Sequence, residues 1–417
     1  MELQLFTDTY PYGYGEPFLD DELPVLARNF TKIVIHPLHA PEGPVRSLPP
    51  GVYLADPLLS FSPDNRKQLF LHGVFNRAPL SLWEYFRCSA FTSKSKTKVF
   101  LSYWLLKRSL WKAAREFVES TDKEQEICYF YWGDKTVQLW PAIKRWAPNY
   151  HGIVRLHGSD LYEEVKGLLP YRKEYLSAID LLMTVSRTGA SYLKSHYPYL
   201  NPDKIKTFPL GFSNDVPYAN KMNQEGIFEI VSCSNVIPLK RVDLIAKALN
   251  EIQINTLTKG KFKKIRWTHF GNGSKMHELQ KVILMLDDSD LEVVLAGRRD
   301  RSEILDYYTH HPVDLFLNVS SSEGIPVSIM EAMSFGIPIL ATAVGGTAEL
   351  VKPACGKTIP PQITKDDLKG YIEAFILLSF EERSALSKGA YHEWKSHWDA
   401  ETNSKAFTDY LHSIFKF

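Results

Sequence analysis

The chain has 417 residues, enough for two or three domains that each bury a core. Its 49 Lys and Arg against 48 Asp and Glu leave a net charge of +1, which excludes the overall positive field of a nucleic-acid binder, and 44% hydrophobic against 23% charged residues excludes a disordered chain. Cys88, Cys128, Cys233 and Cys355 are scattered with no Cys-x-x-Cys pair, so neither a disulfide scaffold nor a thiolate zinc site is expected. Short apolar runs at residues 3–7, 32–36, 127–131, 153–156 and 180–185 predict buried strands, with helical patterns between them. A second series follows at 228–232, 265–270, 292–296, 313–318 and 338–341, with helices predicted over 242–253, 275–286 and 401–417. Near-continuous apolar strands alternating with helices indicate parallel sheets covered on both faces.

Between the two series, residues 209–226 turn polar and rich in turn formers. The predicted organisation is an α/β chain of two doubly wound domains, 1–215 and 226–390, and a helical tail over 391–417 that packs back on the first domain. In such folds ligands gather at the carboxyl ends of the strands, so a cleft between facing domains is the expected site. No apolar run approaches the ~18 residues of a membrane span, and the first residues lack the basic and apolar regions of a secretory leader. A cytoplasmic protein is expected.

Five segments suggest chemistry, taken along the chain. Tyr10 to Leu19 holds Gly13, Gly15 and Glu16 in a loop after the first strand, where glycines permit close backbone approach to a ligand. It is not a dinucleotide fingerprint, because Phe18 stands where the third Gly would be. From Tyr85 to Arg115 there is no acid, while Arg87, Lys94, Lys96, Lys98, Lys107, Arg108, Lys112 and Arg115 interleave with Tyr103, Trp104, Leu105, Leu106, Leu110 and Trp111. Either this helix meets an anionic membrane surface, or its apolar face is core and its cations are solvated. His151 to Tyr162 is a buried strand ending in His157-Gly158, with Arg155 and Asp160 beside it. In the second series, Lys240-Arg241 opens a helix, where a cation opposes the macrodipole unless an anion is present. After the strand ending near Asn318, a Ser-rich loop leads to Glu323, to Pro326 as an early helical residue, and to Glu331 about two helical turns further on. That helix start offers free N–H groups to an anion. Asp288-Ser289-Asp290 is read as a turn, His310-His311 as a polar helix end and the basic run 259–266 as a solvated loop.

The run Ser-x-Glu-Gly-x-Pro-x-x-x-x-Glu-Ala-Met at 321–333, with Gly336-Ile337-Pro338 and Val344-Gly345-Gly346-Thr347-Ala348-Glu349, resembles glycosyltransferase family 4, whose members are retaining enzymes of the GT-B fold with an E-x7-E pair. The resemblance implies two Rossmann-like domains and a nucleoside diphosphate sugar donor. It implies that Glu331 meets ribose hydroxyls, that Glu323 lies against the transferred sugar, and that Ser322, Gly324, Ile325, Pro326 and Val327 line the sugar and phosphate. Lys240 matches a diphosphate-binding Lys. Asn235 stands where relatives carry Arg, so a second cation is expected from Arg241 or Arg298; Gly271 belongs to a further donor-side loop. His157 matches a His that contacts the donor sugar. Gly13, Gly15, Glu16, Arg155 and Asp160 fall on the acceptor side, where Arg155 and Asp160 either order the loop or contact the acceptor. Glu323, His157 and Lys240 are the expected catalytic residues, with no metal and no cofactor.

The function this implies is transfer of a sugar from a UDP- or GDP-sugar to a hydroxyl of a glycan or polyprenyl-linked acceptor, in cell-surface polysaccharide synthesis. Weak contact with the inner face of the plasma membrane is expected, and no nucleic acid. An epimerase on the same fold, or a non-catalytic sugar-nucleotide-binding partner suggested by Asn235, are the alternatives.

Overall fold

A computed structural model of the chain describes residues 2–13, 15–74, 82–121, 126–219, 221–286 and 290–415. The chain divides into two compact units, one of Met1–Leu210 with Asn403–Phe417, the other Gly211–Thr402. Each is built on one parallel sheet.

The first sheet contains β1 (Glu2–Thr7), β2 (Lys32–Pro37), β3 (Val52–Leu54), β4 (Glu126–Phe130), β5 (His151–Leu156), β6 (Leu181–Thr184) and β7 (Ile205–Thr207). Their order is β3-β2-β1-β4-β5-β6-β7. The direction of winding therefore reverses between β1 and β4, which makes the carboxyl ends of those strands the natural place for a site. Side-chain alternation splits the sheet's two faces. On β4, Cys128 and Phe130 join the cluster under the long helix Lys94–Ser120, whereas Ile127 and Tyr129 join Leu19, Leu23 and Leu26 of the helix Leu19–Asn29. Phe407, Leu411 and Phe415 lie in this second cluster, so the last residues of the chain complete the first unit's core. The helix Phe380–His397 runs through position 391, so the predicted boundary there falls inside one continuous helix.

The second sheet contains β8 (Gly226–Cys233), β9 (Phe262–Phe270), β10 (Leu291–Gly297), β11 (Leu315–Asn318), β12 (Ile339–Thr342) and β13 (Gly356–Ile359), in the order β10-β9-β8-β11-β12-β13. Its reversal lies between β8 and β11. Phe228, Ile230, Trp267, Leu315 and Leu317 pack with the helices Val242–Leu249, Met276–Ile283 and Lys365–Ile376. On this unit Arg383 and Asp314 form a fully buried ion pair of 2.9 Å, and Asp314 also accepts N–H groups from Asn223 and Glu229.

The ten predicted strands are all present. The three additional strands, β3, β7 and β13, are three or four residues long and lie at sheet edges, too short to show a period. The basic run 259–266 is not a loop throughout, because β9 begins at Phe262 and Arg266 pairs with Glu292 across to β10. The acid-free helix also divides. Leu105, Leu106 and Leu110 are core, Lys107 is paired with Glu174, and Arg108 donates to the carbonyls of Gly73 and Val74.

Candidate functional site

In the second unit the motif residues surround the carboxyl ends of β8 and β11. β11 ends at Asn318, and the loop that follows leads through Pro326 (φ −75°, ψ 108°) into the helix Val327–Ser334. Glu323 is held in that loop by two groups. Lys240 lies 2.5 Å from its Oε1, and Asn318 Nδ2 donates to the same oxygen at 3.3 Å. Lys240 comes from the turn after β8, which is tied to the loop by the Ser321 N–H on the Leu239 carbonyl. The anion that a Lys at this position calls for is thus a carboxylate of the chain itself.

Glu331 is buried on the helix, and Arg301 Nε donates to its Oε1 at 2.9 Å. The Arg301 guanidinium also stacks over the Phe212 ring at 4.5 Å. Sequence reasoning missed Arg301. Its signal was a cation at the first position of the helix Arg301–His310, a placement as unfavourable as that of Lys240 without an anion beside it. Both motif glutamates are therefore half of an ion pair, one with a Lys and one with an Arg.

The loop's shape depends on the glycine pair that follows β12. A Cβ on Gly345, whose φ is +51°, would fall 1.8 Å from the Glu323 carbonyl oxygen, so only glycine fits. The Gly346 N–H then donates to the Gly324 carbonyl at 2.6 Å. Ile325 and Pro326 are buried, while Ser322 and Val327 are half-buried. Gly271, at φ +147°, passes so close to Ser234 that a Cβ would meet its carbonyl oxygen at 1.8 Å, which seats the loop after β9 against the loop after β8.

The Arg241 guanidinium donates to the carbonyls of Val319, Ser320 and Pro361, so it ties the turn after β8 to the loops after β11 and β13. Asn235 and Arg298 are exposed at the carboxyl ends of β8 and β10. Asp288 lies outside the described residues. Among the described residues no three His, Cys, Asp or Glu side chains are grouped to hold a metal ion.

In the first unit the carboxyl ends of β1, β4 and β5 carry the remaining predicted residues, and the structure sorts them differently. Glu16 is buried. Its Oε1 accepts from Asp8 N–H at 3.0 Å and Trp132 Nε1 at 2.7 Å, and its Oε2 from Thr9 N–H at 2.8 Å and Tyr10 N–H at 2.7 Å. The carboxylate is the hub of its own loop, which corrects its expected place as an acceptor contact. Arg46 completes that loop by donating to the carbonyls of Gly13 and Gly15. Arg155 is likewise corrected. It is buried in β5, 2.6 Å from Glu22, with its guanidinium against Tyr129, Tyr131 and Phe407. Asp160 accepts the N–H groups of His157 and Gly133, each at 2.6 Å, and orders the turn after β5. Burial pushes its carboxyl up to about 7, with Asp134 adding to the shift.

His157 stands apart. Its ring lies 4.4 Å from the Trp132 ring and is flanked by Tyr131 and Phe18. Neither ring nitrogen has a hydrogen-bond partner among the described residues. Burial, and then the neighbouring Arg155 charge, hold it well below its ordinary range, so the imidazole is neutral at pH 7. A buried imidazole with two unsatisfied nitrogens is costly unless something meets it.

Residues 219–393 match the family model described as glycosyl transferases group 1. The O-antigen biosynthesis glycosyltransferase WbnH of Escherichia coli is 26% identical over 256 residues, 60% of this chain and 67% of WbnH. The lipopolysaccharide outer core galactosyltransferase WaaB superposes with a TM-score of 0.67 at 15% identity, covering 99% of both chains. Anabaena HepE, solved in complex with UDP, superposes with a TM-score of 0.63 at 15% identity, covering 99% of this chain and 100% of HepE. The two parallel-sheet units thus have the GT-B fold, and the second of them carries the match to the glycosyl transferases group 1 model. No helix among the described residues is long and apolar enough to cross a membrane.

Proposed function

We propose that the protein is a retaining, metal-independent glycosyltransferase of family 4. It moves a sugar from a nucleoside diphosphate sugar to a hydroxyl of a glycan or polyprenyl-linked acceptor in cell-surface polysaccharide synthesis. The observation that carries this reading is the pairing of Glu323 with Lys240 and of Glu331 with Arg301 around one loop and helix start, at the strand reversal of the second sheet. An incoming diphosphate competes with Glu323 for Lys240. The helix start at Val327 supplies further N–H groups to it. Glu331, oriented by Arg301, accepts from the ribose hydroxyls.

In the proposed reaction the bond from the anomeric carbon to the diphosphate oxygen breaks as the acceptor oxygen bonds to the same face of that carbon. The acceptor proton passes to the departing diphosphate oxygen, and Lys240 stabilises the charge left there. Glu323, released from Lys240, lies against the sugar. Neutral His157 orients a sugar hydroxyl as donor or acceptor, and cannot serve as a proton source at pH 7. UDP is the first base to test, because HepE was solved with UDP. WbnH, which acts in O-antigen synthesis, supports the acceptor class.

The test is turnover of UDP- and GDP-sugars in the presence of EDTA, with the product anomer followed by NMR. Retention with activity intact under chelation is expected. An inverted product overturns the stereochemistry, loss on chelation with rescue by Mn²⁺ overturns metal independence, and a changed sugar without any acceptor identifies an epimerase.

A further inference from the structure

Each sheet ends in two edge strands, and three of these four are blunted. β3 and β7 have three residues and β13 has four, and β7 and β13 carry Lys206 and Lys357. Short strands and lysines are devices that keep an edge from pairing with another chain. β10 lacks both. It has seven residues, Leu291–Gly297, at the end of the second sheet, with no Lys, Arg or Pro among them. Among the described residues no strand pairs with its outer side. Its single charge, Glu292, is taken up by Arg266 of β9, which donates from Nε at 3.0 Å and from Nη2 at 3.2 Å.

The apolar side chains of β10 are also left partly open. Val293, Leu295 and Ala296 are half-buried, and Val294 is 37% exposed. Alternate residues face opposite sides of the sheet. Val293 and Leu295 pack toward the core cluster of the second unit, whereas Val294 and Ala296 join Thr268 and Phe270 as the floor of an open groove of about 750 Å³ beside the helix Arg301–His310. Leu284 and Met285, just before the strand in the chain, are 85% and 83% exposed, the highest values for large apolar side chains among the described residues. A row of free backbone groups flanked by apolar side chains is a template for another strand.

We propose that β10 pairs with β10 of a second copy of this chain, antiparallel across a two-fold axis, joining the two six-stranded sheets into one. An antiparallel strand at the edge of a parallel sheet is a common arrangement. A two-fold pairing uses up both edges at once, so assembly stops at the dimer. An axis perpendicular to the sheet keeps each face on its own side, so residues opposite one another are both even-numbered or both odd-numbered. With Val294 opposite itself all seven residues are paired, Val293 with Leu295, Glu292 with Ala296 and Leu291 with Gly297. No two carboxylates then face each other, so the strand is complementary to itself in charge. A strand from a different protein would have to supply that match, and a second copy brings it. The inference is independent of the donor chemistry proposed above.

Sedimentation velocity of the full chain across micromolar concentrations tests it. A monomer–dimer equilibrium with no larger species is expected. V294K sets two ammonium groups opposite each other on the axis and should raise the dimer Kd about tenfold or more. Y53K, on the β3 edge of the other sheet, is the control and should change it less than about twofold. Both side chains are exposed, and unchanged thermal midpoints in dilute solution verify that the variants fold. Oxidation reads the register. V294C is expected to form a disulfide-linked dimer, because directly opposite Cβ atoms lie about 4.5–5.5 Å apart. A296C is expected to stay monomeric on a non-reducing gel, its two copies being about 13 Å apart along the strands. A monomer at every concentration, a dimer that V294K leaves intact, or linkage of A296C in place of V294C overturns the proposal. Growth into open-ended oligomers overturns it in favour of head-to-tail contact.

Discussion

The two sheets have closely similar strand orders, yet two carboxylates near each reversal point, Glu16 and Asp160 in one and Glu323 and Glu331 in the other, are used in opposite ways. In the first unit Glu16 and Asp160 receive backbone N–H groups, two per side chain for Asp160 and three for Glu16 together with an indole. In the second, Glu323 and Glu331 face side-chain cations. A backbone N–H tie is part of the loop and is lost only when the loop opens. An ion pair between side chains exchanges its partner when a stronger anion arrives. The first arrangement fixes its loop, and the second leaves its carboxylates in ion pairs that another anion can displace.

The contrast is broken most severely at Arg155. Arg155→Met leaves Glu22 buried without its cation, and a loss of about 3–5 kcal/mol in unfolding free energy is expected, read by denaturant titration. Lys240→Ala acts on chemistry instead. A fall of about 10²–10³ in kcat with little change in the thermal midpoint is expected in steady-state assays; an equal fall in stability would place Lys240 with Arg155 among structural cations. Glu331→Ala should weaken nucleoside diphosphate binding by about 1.5–3 kcal/mol in calorimetry. Wild-type affinity in that variant would remove Glu331 from the ribose.

The smallest expected effect is a pH dependence. Burial raises the Glu229 carboxyl to about 7, against the opposing hydrogen bonds of Tyr307 and Thr268. Because its folded value lies above its unfolded one, the proton is bound more tightly in the folded chain. Its contribution to stability is full below about pH 4.5 and is lost as pH rises through about 7. Glu229→Gln does not titrate, so the thermal midpoint of this variant relative to wild type should rise steadily from pH 5 to 8. A constant difference would show that Glu229 is ionised throughout.

Much of the architecture is legible in the residues alone. Ten of the thirteen strands announce themselves as apolar runs, because a strand covered on both faces is apolar at nearly every position. The loop before Val327 is legible too, since Pro, Gly and a cation set against the dipole are local signals. The edge strands β3, β7 and β13 are not, because three or four residues cannot display a period.

What the chain could not reveal locally is who partners whom. Glu22 and Arg155 are 133 positions apart, Arg301 and Glu331 30, and Lys240 and Glu323 83. Composition and periodicity report each residue's preference for burial or solvent, and so they determined the strands, the helices and the charged residues near strand ends. Whether Glu16 would serve its own loop or a ligand, and which carbonyls Arg241 would meet, depended on which loops each sheet brings together. That was decided only in the tertiary structure, because the energy of a charge is set by its neighbours in space.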